Sequence, residues 1–309
     1  MKVYYSVEEF PGAIRPVVTT GTFDGVHKGH LTILERLRER AFEVQGETVL
    51  LTFSPHPRMV LFPNDHGLRL LNDREEQIER LAKSGIDHLI IHPFDMQFAA
   101  IPALDYAREI LVEGIGVHLM VVGYDHRFGK NREGDFTALS EFGEMFGFDV
   151  EEISPLAISE MNVSSTKTRR ALALGDVALA NTYLGYNYPL SGIVIEGDGI
   201  GRSLGFPTAN LHLSNPLKLT PANGAYAVRV EIEGRRYKGM LNIGIRPTVS
   251  GSGEQRIEVH VFDQQLDLYG KHLRVEFVAR LRDERKFDSE DALRKQLTSD
   301  RSAALALLQ

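Results

Sequence analysis

The chain has no cysteine and no tryptophan among its 309 residues. The missing thiols exclude disulfides, thiolate catalysis and cysteine-ligated zinc or iron–sulfur centres. Long hydrophobic runs are missing too. Every apolar stretch is broken within about ten residues, well short of the roughly 20 that a membrane-spanning helix needs. Positive charge is in the minority, with 35 Lys and Arg against 42 Asp and Glu and a formal net charge of −7. That balance argues against a nucleic-acid or anionic-membrane surface, but it does not exclude anionic small ligands, because a few local donors can outweigh a distant net charge. The opening MKVYYSVEEF lacks the basic start and apolar core of a secretion signal, so a soluble cytoplasmic protein is expected.

What is present suits an ordinary globular chain, 43% hydrophobic and 25% charged. Its length exceeds what one hydrophobic core usually organises, and two domains are expected. The first half alternates short apolar runs with amphipathic ones. Strands are expected at Val17–Gly21, Thr48–Phe53, Asp87–His92 and Val117–Gly123, with a weaker one at Val150–Ile153. Leu31, Leu34 and Leu37 recur at helical spacing; Asn72 or Asp73 is placed to cap a run containing Ile78 and Leu81; a further helix is expected from about Pro102 through Val112. Repeated strand–helix–strand order predicts a doubly wound parallel sheet, with ligands beyond the carboxyl ends of its strands. After Thr166 the pattern is helical up to Gly185, a C-cap position, and Tyr186–Pro189 reads as a linker.

Beyond the linker the period changes from helical to two. Tyr226, Val228, Val230 and Ile232 alternate with Ala227, Arg229 and Glu231, and Ile257, Val259 and Val261 alternate with Glu258, His260 and Phe262. Leu273, Val275 and Phe277 repeat the theme, and a final helix is expected at roughly Ser289–Leu308. Such a pattern predicts a small antiparallel barrel or sandwich.

Two segments in the first half carry chemistry. GTFDGVHKGH (Gly21–His30) joins the first strand to the first helix, and His27 and His30 bracket Gly29 where helix N-terminal amides are available to an anion. Imidazole N–H groups there can stabilise a phosphoryl group gaining charge, which is what nucleotidyl transfer requires. Alternatively, the segment is a glycine-rich turn with two surface histidines. In NVSSTKTR, Ser164, Ser165 and Thr166 open another helix with Arg169 one turn on; the same residues can cap that helix or hold departing phosphates. The pairing of HxGH with SSTxxR resembles the nucleotidylyltransferase superfamily, and within it the FAD synthetase (FMN adenylyltransferase) domain most closely.

LTFSPHP, with Phe53, Pro55, His56 and Pro57, and GYDHRFG, with Asp125 and Phe128, fit that branch, in which these loops help hold the flavin end of FMN. Many members carry Phe where His126 stands. In the second half, GDGIGRSLGFPTANL (Gly197–Leu211) is neither a Walker A loop nor a dinucleotide fingerprint. Its glycines can form an irregular turn between barrel strands, or they can wrap phosphates while side-chain oxygens hold Mg²⁺. The run closely resembles the riboflavin kinase domain. The resemblance assigns Gly199, Gly201, Arg202, Gly205 and Thr208 to phosphate, and Thr208 and Asn210 to the metal. Glu258 matches the family's catalytic glutamate, although alternation alone makes it an exposed strand carboxylate beside His260. The segments PANGAY, NIGIRPT and LDLYG follow in the family's order, and LRDERKF, containing Arg282, precedes the helix that helps close the riboflavin site. Ala225 stands where valine is common.

The resemblance therefore implies a bacterial bifunctional riboflavin kinase/FAD synthetase: residues 1–185 an α/β FMN adenylyltransferase, residues 188–309 a six-stranded antiparallel β-barrel kinase with a terminal helix. ATP, with Mg²⁺, would serve both steps, and riboflavin, FMN and FAD would be substrates and products. It further implies that His27 and His30 stabilise the α-phosphoryl group, that Gly21, Phe23 and Gly29 border ATP, that Arg169 and its neighbours hold pyrophosphate, and that Arg282 borders the flavin. The rival readings are a nucleotidylyltransferase with another acceptor and a non-catalytic flavin-binding derivative. Oligomeric state is not fixed by the sequence.

Overall fold

Strands β1 (Lys2–Tyr4), β2 (Val17–Thr20), β3 (Thr48–Ser54), β4 (His88–Pro93), β5 (Leu119–Gly123) and β6 (Asp149–Ile153) form one sheet. All its pairings are parallel, in the order β1-β4-β3-β2-β5-β6. This computed structural model describes residues 1–64, 67–154, 163–197, 200–246, 254–264 and 266–309. The apolar runs in the central strands are buried on both faces, as a doubly covered parallel sheet demands. Val18, Val49, Leu51 and Met120 face one core cluster, with Tyr106, Leu111 and Leu139, while Val17, Leu50, Leu89 and Val121 face another, with Leu34, Leu37 and Leu81. The principal helices here are α1 (Lys28–Glu43), α2 (Arg74–Ala82) and α3 (Phe136–Phe146). Asp73 caps α2 in a capping box with Glu76. Of the leucines read as helical in α1, Leu34 and Leu37 are buried, whereas Leu31 is exposed.

Two differences from the sequence reading stand out. The edge strand β1 escapes the pattern because only three residues pair, with β4. The helix expected from Pro102 is a short α-helical turn, Ala103–Asp105, that widens into a π-helix over Tyr106–Ile115. Its buried residues Tyr106, Ile110, Leu111 and Ile115 recur every four to five positions, a spacing that i→i+5 hydrogen bonding serves.

Strands β7 (Pro189–Ile195), β8 (Ala209–Leu213), β9 (Gly224–Ile232), β10 (Arg235–Arg246), β11 (Glu254–Val261) and β12 (His272–Asp283) close an antiparallel barrel in the order β10-β11-β8-β7-β12-β9. Helices α4 (Ser165–Ala173), α5 (Val177–Leu184) and α6 (Glu290–Leu307) accompany it. Ser289 caps α6, and Gly185, at φ 83°, ends α5 as expected.

Contacts divide the chain into two compact units, Met1–Ser164 and Ser165–Gln309. Helices α4 and α5 fall in the second because they are bonded to the barrel: Ala222 N–H donates to Leu172 O at 3.0 Å, and Asn181 Nδ2 donates to Phe277 O at 2.8 Å. The stretch Tyr186–Pro189, read as a linker, is built into the same unit. Tyr188 is fully buried, its N–H donates to Asn181 Oδ1 at 2.8 Å and its hydroxyl to Leu219 O at 2.6 Å.

Candidate functional sites

In the first unit the strand order reverses around β2, whose neighbours are β3 and β5. That reversal opens a crevice at the carboxyl ends of β2 and β5, where ligands of such sheets bind. The loop leaving β2 enters α1 through His27, which is the N-cap of that helix; its Nδ1 accepts from the His30 N–H at 3.3 Å. An Nδ1 that accepts leaves the ring proton on Nε2, ready to donate elsewhere. The two imidazoles stack at 3.6 Å between centroids and 12° between planes, and Phe23 packs on His30 at 4.7 Å. Burial, and then the neighbouring His27, hold the His30 pKa well below the ordinary histidine value. His30 is therefore a neutral hydrogen-bonding group rather than a cation. His30 Nδ1 is buried without a hydrogen-bond partner among the described residues, a cost that a ligand can relieve. Gly29 gives this stacking room: a Cβ there would stand 3.3 Å from the His27 ring, which would have to shift slightly. A Cβ on Gly21 would stand 3.1 Å from Phe23.

The end of β3, the segment after β4, the π-helix and the loop after β5 supply a run of aromatic contacts in the same unit. Phe53 meets Phe94 at 5.6 Å and Phe98 at 5.4 Å; Phe98 meets Tyr106 at 6.0 Å, and Tyr106 meets Phe128 at 5.5 Å. Phe53, Phe94 and Phe98 are partly exposed, whereas Phe128 is buried in the core. An exposed aromatic platform at this place would thus come from Phe53, Phe94 and Phe98, with Phe128 beneath. Phe94 and Phe98 escaped the sequence reading although they directly follow an expected strand. Pro55 and Asp125 are exposed; His56 caps the short helix Pro57–Leu61 by accepting from Arg58 N–H at 3.1 Å. Burial pushes the Tyr106 hydroxyl up to about 12 and His126, stacked on Phe128 at 5.7 Å, down to about 4.

Ser164 ends the first unit, and Ser165, Thr166 and Arg169 lie in the second, on α4. Thr168, Ala171 and Leu172 are buried, Ser165 and Arg169 are half-buried beside them, and Thr166 is exposed.

The barrel carries the second site as a row of directly paired residues. Asn210 on β8 pairs with Glu258 on β11, Glu258 with Asn242 on β10, Asn242 with Ala225 on β9, and Ala225 with Arg282 on β12. Directly opposed residues share one face of a sheet, and all five line one pocket of about 330 Å³. Thr208, Gly201, His260, Leu293 and Leu297 complete much of its wall. The polar face of β11 is therefore not a solvent face. His260 is buried and Glu258 half-buried, because α6 covers that side of the barrel. His260 Nδ1–H donates to Pro207 O at 2.7 Å, fixing the turn that presents Thr208, and burial lowers its pKa. Arg282 does more than border the pocket. Its Nε donates to Asp300 Oδ2 at 2.9 Å, Asp300 accepts from Gln296 at 2.6 Å, and the guanidinium lies 5.5 Å from the Phe287 ring. This pair ties β12 to α6; Asp300 carried no motif that would have flagged it, and Asn242 opens the NIGIRPT segment, to which no site role was given.

The glycine-rich run fits around these residues. A Cβ on Gly197 would collide with the Asn210 amide, and one on Gly201 would stand 3.2 Å from Thr208 Oγ1. Gly205 takes φ 84°, a left-handed turn that suits glycine. Arg202 lies in the short helix Ile200–Ser203, and Gly199 falls outside the described residues. A hydroxyl, an amide oxygen and one carboxylate on a single wall are hard oxygen donors that suit Mg²⁺. Among the described residues no group of three or more His, Cys, Asp or Glu could hold a metal, so phosphate oxygens would have to share such an ion.

The chain matches the family model for FAD synthetase over residues 12–167 and that for riboflavin kinase over residues 184–308. The bifunctional riboflavin kinase/FMN adenylyltransferase of Escherichia coli K12 is 39% identical over 93% of this chain and 91% of its own. That of Pseudomonas fluorescens is 40% identical over 94% and 92%. A crystal structure described as a macrolide-efflux protein from Streptococcus pneumoniae superposes with a TM-score of 0.88 at 31% identity, covering 98% of both chains. Among the described residues no helix is long and apolar enough to cross a membrane. With both models matched in tandem and relatives aligned over more than nine-tenths of its length, the chain belongs to the bifunctional riboflavin kinase/FMN adenylyltransferase family.

Proposed function

We propose that this protein phosphorylates riboflavin to FMN on its barrel and adenylylates FMN to FAD on its parallel sheet, with ATP as donor in both steps. The observation that carries the kinase reading is the Asn210–Glu258–Asn242 row, lining one pocket with Thr208 beneath α6. Glu258 accepts the proton of the ribityl 5′-hydroxyl as that oxygen attacks the γ-phosphorus, and ADP leaves. Thr208 and Asn210 would hold Mg²⁺ together with the phosphates, where it would supply neutralisation of charge on the transferring group. Arg282 keeps α6 closed over the flavin through Asp300.

Adenylylation rests on the stacked His27–His30 pair. The FMN phosphate attacks the α-phosphorus of ATP; imidazole N–H groups donate to the oxygens gaining charge, and pyrophosphate leaves. Ser165, Thr166 and Arg169 bind the departing pyrophosphate, and Phe53, with Phe94 and Phe98, packs on the flavin ring. The adenylyltransferase sequence spans about residues 1–185 and the kinase sequence about 188–309, and the protein works in the cytoplasm. Incubation with riboflavin, ATP and Mg²⁺, followed by chromatography, tests the reading. Sequential appearance of FMN and FAD is expected. A protein that yields neither, or that accepts pantetheine phosphate or nicotinamide mononucleotide instead, overturns it.

A further inference from the structure

The loop from β2 to α1 takes three left-handed residues within four positions: Phe23 (φ 46°), Gly25 (φ 90°) and Val26 (φ 36°). Glycine adopts such angles freely, but phenylalanine and β-branched valine do so only where their surroundings impose it. The hydrogen bonds of the loop show what imposes it. Asp24 is 5% exposed. Its carboxylate accepts from the Leu71 N–H, 3.0 Å to Oδ1 and 3.1 Å to Oδ2, and from the Asn72 N–H at 3.0 Å. From the first turns of α2, Gln77 Nε2 donates to Thr22 O at 2.8 Å and Phe23 O at 3.3 Å. The Asp73–Glu76 capping box holds that turn of α2 in place. The loop is thus gripped through both a side chain and its own carbonyls, immediately before the histidine pair. A carboxylate beside a polyphosphate site would ordinarily repel the ligand. Here it is bonded to the Leu71 and Asn72 amides of the turn that precedes α2.

We infer that Asp24 and Gln77 are positioning residues for adenylyl transfer. They hold residues 21–27 in the left-handed course that brings His27 onto His30, and they act through the backbone rather than on substrate. The inference rests on the proposed adenylyltransferase reading and deepens it. Preorganised donors lose most of their effect when displaced by about 1 Å, a misplacement that can cost around a hundredfold.

The test uses the full-length protein, with FMN formation by the barrel as an internal control. Asp24→Ala should lower kcat for FAD formation by about a hundredfold or more, with FMN formation within about twofold of wild type. Asp24→Asn keeps an oxygen able to accept from both amides and should recover to within about tenfold of wild type. Gln77→Ala should lower kcat by about tenfold and leave the ATP KM within about twofold, whereas general loosening would move both. The His27 and His30 ring-proton resonances, read by NMR without ATP, should shift in Asp24→Ala and return in Asp24→Asn. This readout stands whether or not wild type makes FAD, so failure of the enzyme reading and failure of the inference are told apart. Asp24→Ala with more than about half the wild-type kcat, an Asn variant as impaired as Ala, or undisturbed resonances in Asp24→Ala would each overturn the inference. If Asp24→Ala does not fold, Gln77→Ala decides: a kcat within about twofold of wild type refutes it.

Discussion

Replacing Glu258 by Gln is the sharpest test of the kinase site, because it removes the charge and keeps the shape. The amide has nearly the volume of the carboxylate, and the direct neighbours of Glu258 across the sheet, Asn210 and Asn242, are neutral. Arg282 lies three strands away in the same row, about 14 Å along the sheet, so the Arg282–Asp300 pair closing α6 is not disturbed. The substitution removes the negative charge that can accept the ribityl proton. General bases contribute about 10²–10⁴-fold, and a loose phosphoryl-transfer transition state draws on the lower end. A fall in kcat of about a hundredfold, or about 2.7 kcal/mol, is therefore expected. The riboflavin KM should stay within about threefold, since an amide oxygen still accepts from the ribityl hydroxyl. The assay is initial-rate FMN formation by chromatography, with adenylylation of supplied FMN measured on the same sample as the folding control. A variant keeping more than about half the wild-type kcat removes Glu258 as the base and leaves it a positioning role. His260, whose lowered pKa keeps its Nε2 able to accept, then becomes the residue to test.

His30→Ala should cost about a hundredfold or more in FAD formation while FMN formation stays near wild type; equal loss of both activities would contradict two separate sites. The first unit should lose stability on acidification. His126, held at about 4, and His30, held well below the usual value, bind protons more readily unfolded, so stability falls as pH drops from about 6.5 towards 4. Thermal melts across that range should show the decline and His126→Phe should flatten it; a wild-type melting temperature indifferent to pH there refutes the argument. Finally, a fragment of residues 165–309 should melt cooperatively and make FMN but no FAD. A fragment of residues 188–309 should melt lower, because it lacks the α4 and α5 bonds to Ala222 and Phe277. Equal melting temperatures would show those bonds to be idle.

The sequence by itself determined a good deal. Period-two and helical patterning located five of the six sheet strands, three of the six barrel strands and the terminal helix, because burial on one or both faces leaves a direct trace in apolar spacing; that the second half closes as a barrel came from the family resemblance. The chemistry was legible where it sits in contiguous runs: HxGH at a helix start, and GFPTAN before a strand. Tertiary structure decided what depends on residues distant in sequence. Alternation put Glu258 and His260 on a polar face, but only the packing of α6 turned that face into a pocket wall. Asp300 and Gln77 sit in segments with no distinctive local pattern, and Asn242 opens a segment quoted without a site role; an ion pair, a helix turn and barrel register bring them to the sites. Tyr188 reads as linker from its neighbours, yet it is fully buried, because α5 and β12 close around it. Local spacing records which face of an element is buried. It does not record what the element is buried against, and that is where these sites were completed.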